Sequence, residues 1–137
     1  MPTIHVEVDA TKTALDLIAL RVQKATLESV VEGAALVESR GKKNAPVSKG
    51  NNPPIHGTLR RSISMGTPTI EGPGVFSSRG GPSVIYARRV ELGFHGADSL
   101  GRVYDQDGRP YWGPAVNSSH DDILAIFLTQ LADALEV

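Results

Sequence analysis

The sequence predicts an α+β fold in which a long N-terminal amphipathic helix and a C-terminal helix pack on a small antiparallel β-sheet with long loops. All but three of the 14 glycines and nine prolines lie within residues 44–114, so the middle of the chain favours turns and short strands. Both ends are nearly free of these residues, and their apolar side chains recur at the three- and four-residue steps of a helix. At 137 residues, the chain has the size of one domain.

The first helix is predicted from about Thr11 to Asn44, after a short strand at Ile4–Val8, where apolar and polar residues alternate. Ala45 precedes Pro46 and therefore avoids the helical conformation, which ends the helix. The apolar positions of this helix are Leu15, Ile18, Leu20, Val22, Ala25, Leu27, Val31, Ala34 and Val37.

The second helix is predicted to begin near Ser119, because Ser119 and Asp122 have the spacing of a capping box. Its apolar face contains Ile123, Phe127, Leu131 and Leu135, and Leu124 and Leu128 widen that face. Both helices need cover for their apolar stripes, so they should pack together on one face of the sheet. The residues expected to be most buried are Leu27, Val31, Phe127 and Leu131.

The strands are predicted between the helices. The candidates are Leu59–Met65, Thr69–Glu71 with Val75–Phe76, and Ser83–Leu92. Asp107-Gly108 predicts a hairpin turn between Arg102–Tyr104 and Arg109–Trp112. A helical turn at Tyr86–Glu91 is an open alternative, because short apolar runs fit either structure.

Composition excludes several classes of function. Fourteen basic and 15 acidic side chains give a net charge of −1, so net charge does not indicate a nucleic-acid-binding protein. The absence of cysteine excludes disulfides, thiolate metal sites and a cysteine nucleophile. The N-terminal residues lack the pattern of a signal peptide, and no apolar run reaches the ~18 residues of a membrane helix, so neither is expected.

No pattern in the chain predicts catalysis, a cofactor or a metal. His5, His56, His95 and His120 have no ligand partner at the spacing of a metal site. Residues 105–108 resemble the start of a calcium loop but lack its later ligands, so a turn is expected there. Glu91 lies beside Arg88 and Arg89, which indicates an ion pair rather than a general base.

One segment has a strong charge bias. No acidic residue lies between Glu38 and Glu71, and six cations lie in that interval: Arg40, Lys42, Lys43, Lys49, Arg60 and Arg61. Either this is a solvated loop, or it faces an anionic surface, which is DNA phosphate or an acidic protein. In the second case the candidate contacts are Lys42, Lys43, Lys49, Arg60 and Arg61. Arg60 and Arg61 would point to opposite faces of a strand.

Three short blocks occur in a recognisable order. They are Asn44–Val47 with Gly57–Ile63, then Tyr86–Gly93, then Pro110–Ala115. With the leading helix they resemble the tail-completion proteins (minor tail component, or neck, proteins) of long-tailed bacteriophages. The resemblance covers roughly residues 12–135. The chain departs from the family at residues 48–56 and 94–109, where it is longer.

We expect a single domain over residues 1–137, with 44–58 and 94–109 as mobile loops. The resemblance implies a structural virion protein, not an enzyme, that is assembled in the host cytoplasm and forms a ring of six copies. That ring would complete the head-proximal end of the tail and join it to the head connector. Its implied partners are other copies of the chain, the tail-tube or tail-terminator protein, the connector or adaptor proteins, and DNA in the channel through non-specific contacts.

Aromatic residues are concentrated near the predicted hairpin, where they either stabilise the core and the hairpin or anchor an interface. The candidate contacts between subunits are Tyr86, Arg88, Glu91, Tyr111 and Trp112. A different function also fits the sequence, namely a small nucleic-acid-binding module that uses the basic segment 40–61. Such a module would bind DNA as a monomer, with an affinity that falls steeply as salt rises.

Overall fold

A computed structural model describes residues 8–47 and 57–136. The helices are α1 (Val8–Asn44), α2 (Thr58–Ser62), α3 (Ala87–Leu92) and α4 (Trp112–Leu135). The strands are β1 (Ile63–Met65), β2 (Thr69–Gly72), β3 (Val75–Ser77), β4 (Gly80–Pro82), β5 (Gly93–Ala97) and β6 (Val103–Asp107). The predicted α+β class is confirmed, with long helices at both ends and small antiparallel sheets between them.

The two long helices lie side by side in opposite directions. At one end, Asn44 Nδ2 donates a hydrogen bond to the carbonyl of Tyr111 (3.3 Å). At the other end, Arg21 Nη1 lies 3.4 Å from Glu136 Oε1. With a rise of ~1.5 Å per residue, α1 is about 55 Å long and α4 about 36 Å. The part of α1 before Arg21 therefore extends beyond the end of α4.

The face of α1 that packs on α4 consists mainly of small residues. Every fourth residue is buried along this face: Ala25, Ser29, Gly33, Val37 and Gly41, followed by Ala45 just after the helix. A Cβ atom added to Gly33 would lie 3.3 Å from Ile123, and one added to Gly41 would lie 2.7 Å from the ring of Trp112. The lack of a side chain at these positions therefore lets the neighbouring side chains lie against the α1 backbone.

The predicted core residues are wrong for this reason. Leu27 and Val31 are exposed, whereas Phe127 and Leu131 are only half-buried. The prediction assumed that large apolar residues form the contact between the helices. In the structure small residues form the contact face of α1, and Leu27 and Val31 lie elsewhere around the helix.

Helix α4 begins at Trp112, seven residues before the predicted start. Ser119 is fully buried inside the helix, and its hydroxyl donates to the carbonyl of Ala115 (2.6 Å). The capping-box interpretation is therefore wrong, and Asp122 forms an ion pair with Arg40 of α1 instead. Pro114 lies in the first turn of the observed helix. A proline is compatible with that position, because the N–H group that it lacks is not needed there.

The described strands form three separate two-stranded antiparallel sheets, β1–β4, β2–β3 and β5–β6, rather than one sheet. The predicted pairing of Thr69–Glu71 with Val75–Phe76 is confirmed as the β2–β3 hairpin. The strand predicted at Leu59–Met65 is helical up to Ser62.

Two other strand predictions are also wrong. Residues 87–92 form α3, so the alternative of a helical turn at Tyr86–Glu91 is the better one. Asp107-Gly108 is not a hairpin turn, because β6 ends at Asp107 and pairs with β5 through the turn at 98–102. The segment 94–109, expected as a loop, therefore forms most of a hairpin.

Some predictions concern residues at the edge of the described chain. Val8, the last residue of the predicted strand Ile4–Val8, is the first residue of α1. The rest of that strand lies outside the described residues, as do residues 48–56 of the predicted loop 44–58.

The contact between Gly41 and Trp112 leads to a first prediction. A glycine-to-alanine change inside a helix normally stabilises it by up to about 1 kcal/mol. Here the new methyl group would overlap the indole ring, and overpacking costs about 1–3 kcal/mol. We therefore expect Gly41→Ala to lower the free energy of unfolding by about 1–2 kcal/mol in urea denaturation. Ser39→Ala, on an exposed part of the same helix, should change it by less than about 0.5 kcal/mol, and stabilisation by Gly41→Ala would contradict the packing described.

Candidate functional site

The three sequence blocks come together in one hydrophobic cluster. The first block supplies Ala45, Leu59 and Ile63, the second Ala87, and the third Tyr111. Val84, Val90 and Trp112 pack against this cluster from its edge. Residues that are far apart in the chain therefore form one structural unit, at the end of the helix pair where α1 ends and α4 begins.

The carboxylate of Glu91 binds the N-terminus of α4. Its Oε2 accepts hydrogen bonds from the backbone N–H groups of Tyr111 (2.8 Å) and Trp112 (3.0 Å), and its Oε1 accepts one from Gly113 (2.9 Å). The next residue, Pro114, has no N–H group. The first four backbone N–H groups of a helix have no acceptor within the helix. Here three of them bind Glu91, and the fourth position is a proline.

This environment also sets the ionisation of Glu91. Burial opposes the charged form, but the three backbone donors outweigh that effect and lower the pKa of Glu91 below its ordinary value of 4.5. The positive end of the α4 dipole acts in the same direction. Glu91 forms this cap in place of the expected ion pair with Arg88 or Arg89, so its carboxylate supports the fold.

Tyr111 and Trp112, two of the candidate contacts between subunits, are less exposed than residues of a free interface would be. Tyr111 is completely buried, and its hydroxyl lies 3.4 Å from the carbonyl of Ala87. Burial, with the negative charge of Glu91 nearby, raises the pKa of Tyr111. Trp112 is half-buried and packs over Gly41 and Gly81. The side chain of Tyr111 therefore belongs to the core, which is the alternative role expected of these aromatic residues.

The other two candidate contacts between subunits lie on the surface. Tyr86 and Arg88, before and within α3, are exposed. Sequence reasoning missed their neighbour Arg89, whose guanidinium lies 4.1 Å from the centroid of the Phe94 ring and 5.7 Å from that of Tyr104. This cation–π contact holds the β5–β6 hairpin against α3.

The basic segment is partly neutralised within the chain. Lys42 forms an ion pair with Glu38, whose other oxygen accepts the N–H of Met65 (2.9 Å). The hydrogen bond from Lys42, followed by that from Met65, lowers the pKa of Glu38. Arg40 forms an ion pair with Asp122, whereas Lys43 is exposed. Lys49 lies outside the described residues.

Arg60 and Arg61 lie on α2, so the prediction that they point to opposite faces of a strand is wrong. Neighbouring residues of a helix are about 100° apart, and both side chains are exposed. Arg60 Nη2 lies 3.4 Å from the carbonyl of Ala45, and Arg61 Nη2 lies 3.3 Å from the hydroxyl of Thr58. The structure thus places Arg60 beside the end of α1.

Two histidines lie within the described residues, and both contact aspartates. His95 Nδ1 is 2.5 Å from Asp105 Oδ1 across the β5–β6 pair, and His120 Nδ1 is 3.1 Å from Asp121 Oδ1. Within residues 8–47 and 57–136, no three His, Asp or Glu side chains are grouped so that they could hold a metal ion. None of the helices in this part of the chain is both long and apolar enough to cross a membrane.

Comparison with known proteins gave no match: no protein family, no curated protein and no solved structure resembles the chain significantly.

The Glu91 cap leads to a second prediction. In Glu91→Gln, one amide oxygen replaces two carboxylate oxygens, so at least one N–H group at the start of α4 loses its partner. We expect the free energy of unfolding to fall by about 1–3 kcal/mol, measured by chemical denaturation. Glu28→Gln, on the exposed surface of α1, is the matched control and should change it by less than about 0.5 kcal/mol. An equal effect of both substitutions would show that the cap contributes nothing.

The lowered pKa of Glu91 leads to a third prediction. A carboxyl with a lowered pKa in the folded state stabilises the fold fully above its ordinary pKa, and that contribution disappears as the pH falls through the lowered value. The stability difference between wild type and Glu91→Gln should therefore be constant above about pH 5.5 and shrink below 4.5. Other carboxyls are common to both proteins and cancel in this difference. A difference that grows on acidification would contradict the assignment.

Proposed function

We propose that the chain is a structural virion protein at the head-proximal end of a phage tail. There it forms a ring that completes the tail and joins it to the head connector. Its partners in this role are other copies of itself, the tail-tube or tail-terminator protein, and the connector proteins. It carries out no chemistry, and its function depends on assembly.

The observation that carries this proposal is the way the three blocks meet. The sequence resemblance rests on short segments, each of which is weak alone. In the structure Leu59, Ala87 and Tyr111, one residue from each block, are buried in the same cluster. Glu91 of the second block also caps the helix that begins in the third. Motifs that build one core together support the resemblance better than three unrelated matches would.

The described departure from the family is compatible with that core. The hydrophobic cluster contains no residue from 94–109, and residues 48–56 lie outside the described part of the chain. Residues 94–107 form most of a hairpin that is attached through Arg89, and this hairpin can differ in length without changing the cluster. Insertions at the surface are tolerated far better than changes in a packed core.

The nucleic-acid-binding alternative is less well supported. Two of the six cations in the basic segment, Arg40 and Lys42, form ion pairs with acidic residues of the same chain. The remaining exposed cations can still meet DNA or an acidic protein when the ring is assembled. A monomeric binding module would retain DNA by itself, with an affinity that falls steeply as salt rises.

The experiment that tests the proposal uses the phage that encodes this chain. Mass spectrometry of purified particles should find the protein in the virion, in several copies per particle. Deletion of its gene should leave DNA-filled heads and tails that are not joined. The proposal is wrong if the protein is absent from purified particles and the deletion yields complete, DNA-filled, tailed virions.

The basic segment leads to a fourth prediction. Lys43→Glu combined with Lys49→Glu should leave folding nearly unchanged but block head–tail joining or release packaged DNA, as measured by infectious yield and electron microscopy. Lys42 is left intact, because its reversal would also repel Glu38 inside α1. The control combines Lys43→Arg with Lys49→Arg, which keeps both charges. Normal yields from the glutamate variant would show that these cations only solvate the surface.

A further inference from the structure

The outer sides of α1 and α4 each carry a line of large apolar side chains. The line on α1, here called the α1 seam, consists of Leu17, Leu20, Leu27 and Val31, all of them exposed. The line on α4, here called the α4 seam, consists of Leu124, Leu128, Leu131 and Leu135, of which only Leu131 is half-buried. Contiguous apolar patches on a surface indicate contact with another molecule.

The seams point away from the contact between the two helices. Successive residues of a helix are about 100° apart, so residues five positions apart lie about 140° apart. Leu20 lies five positions before the buried Ala25, and Leu124 lies five positions after the buried Ser119. Likewise Leu128 follows Ile123, which packs against Gly33, by five positions. The α1 seam and the α4 seam therefore lie on opposite sides of the helix pair.

Both seams have the spacing of coiled-coil contacts. The α1 seam, with Lys24 at its centre, advances in alternating steps of three and four residues, and the α4 seam does the same. The seams also lie along the same stretch of the helix pair. The Arg21–Glu136 ion pair and the contact of Ile123 with Gly33 place residues 123–136 of α4 beside residues 21–33 of α1.

Charge distinguishes which seams can pair. Lys24 lies within the α1 seam, and its side chain is 76% exposed. The sequence of α4 contains Asp121, Asp122 and Asp133 but no lysine or arginine. Two α1 seams packed on each other would bring Lys24 against its own copy, whereas the α4 seam contains no cation and has the exposed Asp121 three residues before Leu124.

We propose that the α1 seam of one copy packs on the α4 seam of the next copy. Because the seams lie on opposite sides, each copy meets one neighbour through α1 and the other through α4. Such an interface is heterologous, and it generates a ring when the rotation between neighbours closes. The inference rests on the proposed ring and identifies the residues that form the contact between its subunits. These contact residues lie on the two long helices, whereas the candidates Tyr111 and Glu91 have roles in the core and in the cap of α4.

The test uses the absence of cysteine in the chain. Leu27→Cys and Leu128→Cys introduce a single thiol into the α1 seam and the α4 seam, respectively. The purified full-length proteins are treated with a short bis-maleimide at the highest soluble concentration. The double variant should give a ladder of covalent multimers, each single variant should stay monomeric, and a mixture of the two single variants should give dimers only. The control pair is Ser39→Cys with Thr129→Cys, exposed positions of the same helices outside the seams.

Three results would overturn the inference. Dimers of Leu128→Cys alone would show that two α4 seams pair symmetrically, and dimers of Leu27→Cys alone would show the same for α1. Absence of multimers in the double variant, with the helical circular dichroism of the wild type, would show that the seams do not meet. The experiment uses isolated protein, so a ladder from a chain that is absent from virions would refute the proposed function and leave this interface standing.

Leu27→Asp and Leu128→Asp provide a second measurement. Each substitution disrupts one seam and leaves the other intact. By native mass spectrometry each variant should stay monomeric by itself, whereas a mixture should form mixed dimers through the two intact seams. Loss of these dimers with both variants folded would contradict a heterologous interface.

Discussion

Helix α4 begins without a capping side chain of its own: Tyr111 supplies none, and its first turn contains Pro114. Glu91 satisfies the three N–H groups that remain. Since Glu91 lies on α3, its carboxylate joins two elements 20 residues apart and fixes the direction in which α4 leaves the core. Tyr111, the residue before α4, is thereby held in the cluster beside Ala87. The cap thus links the hydrophobic cluster, through Tyr111, to the start of the helix that packs on α1.

The pairing of the long helices follows a different physical rule. Small residues at every fourth position of α1 let α4 side chains lie directly against its backbone. The helices are held there by dispersion contacts between those side chains and the backbone. Such a contact tolerates little enlargement, because the neighbours at Gly33 and Gly41 are already close. It also leaves the larger apolar residues of both helices outside. A helix pair built in this way has a closely packed inner face and exposed apolar side chains on its outer side.

The long helices could be predicted from the sequence because their periodicity extends over many residues. The contact face of α1 could not, because hydrophobic periodicity gives weight to large residues such as Leu27 and little to Ala25 or Gly33. Six small or medium residues recur at every fourth position from Ala25 to Ala45, and this spacing is the sequence pattern that could have predicted the face. Glu91 as a cap was also missed, because its partners are backbone groups that no side-chain pattern reveals. The cation–π contact of Arg89 with Phe94, which holds the β5–β6 hairpin against α3, was also missed, because it joins residues of different elements and appears only after folding.

The chain thus has two ends with different physical demands. At one end, the three blocks close a core beside which Glu91 binds the N–H groups at the start of α4. At the other end, α1 continues past the last residue of α4. Ile18 lies on the same face of α1 as Ala25, seven residues later. Ile18 is nevertheless 45% exposed, whereas Ala25 is buried. Among residues 8–47 and 57–136, no element covers this part of α1, and its apolar side chains are exposed to water. Substitutions in the core should therefore act on stability and those on the outer helix faces on association, and the two classes can be separated by measuring unfolding and assembly on the same variant.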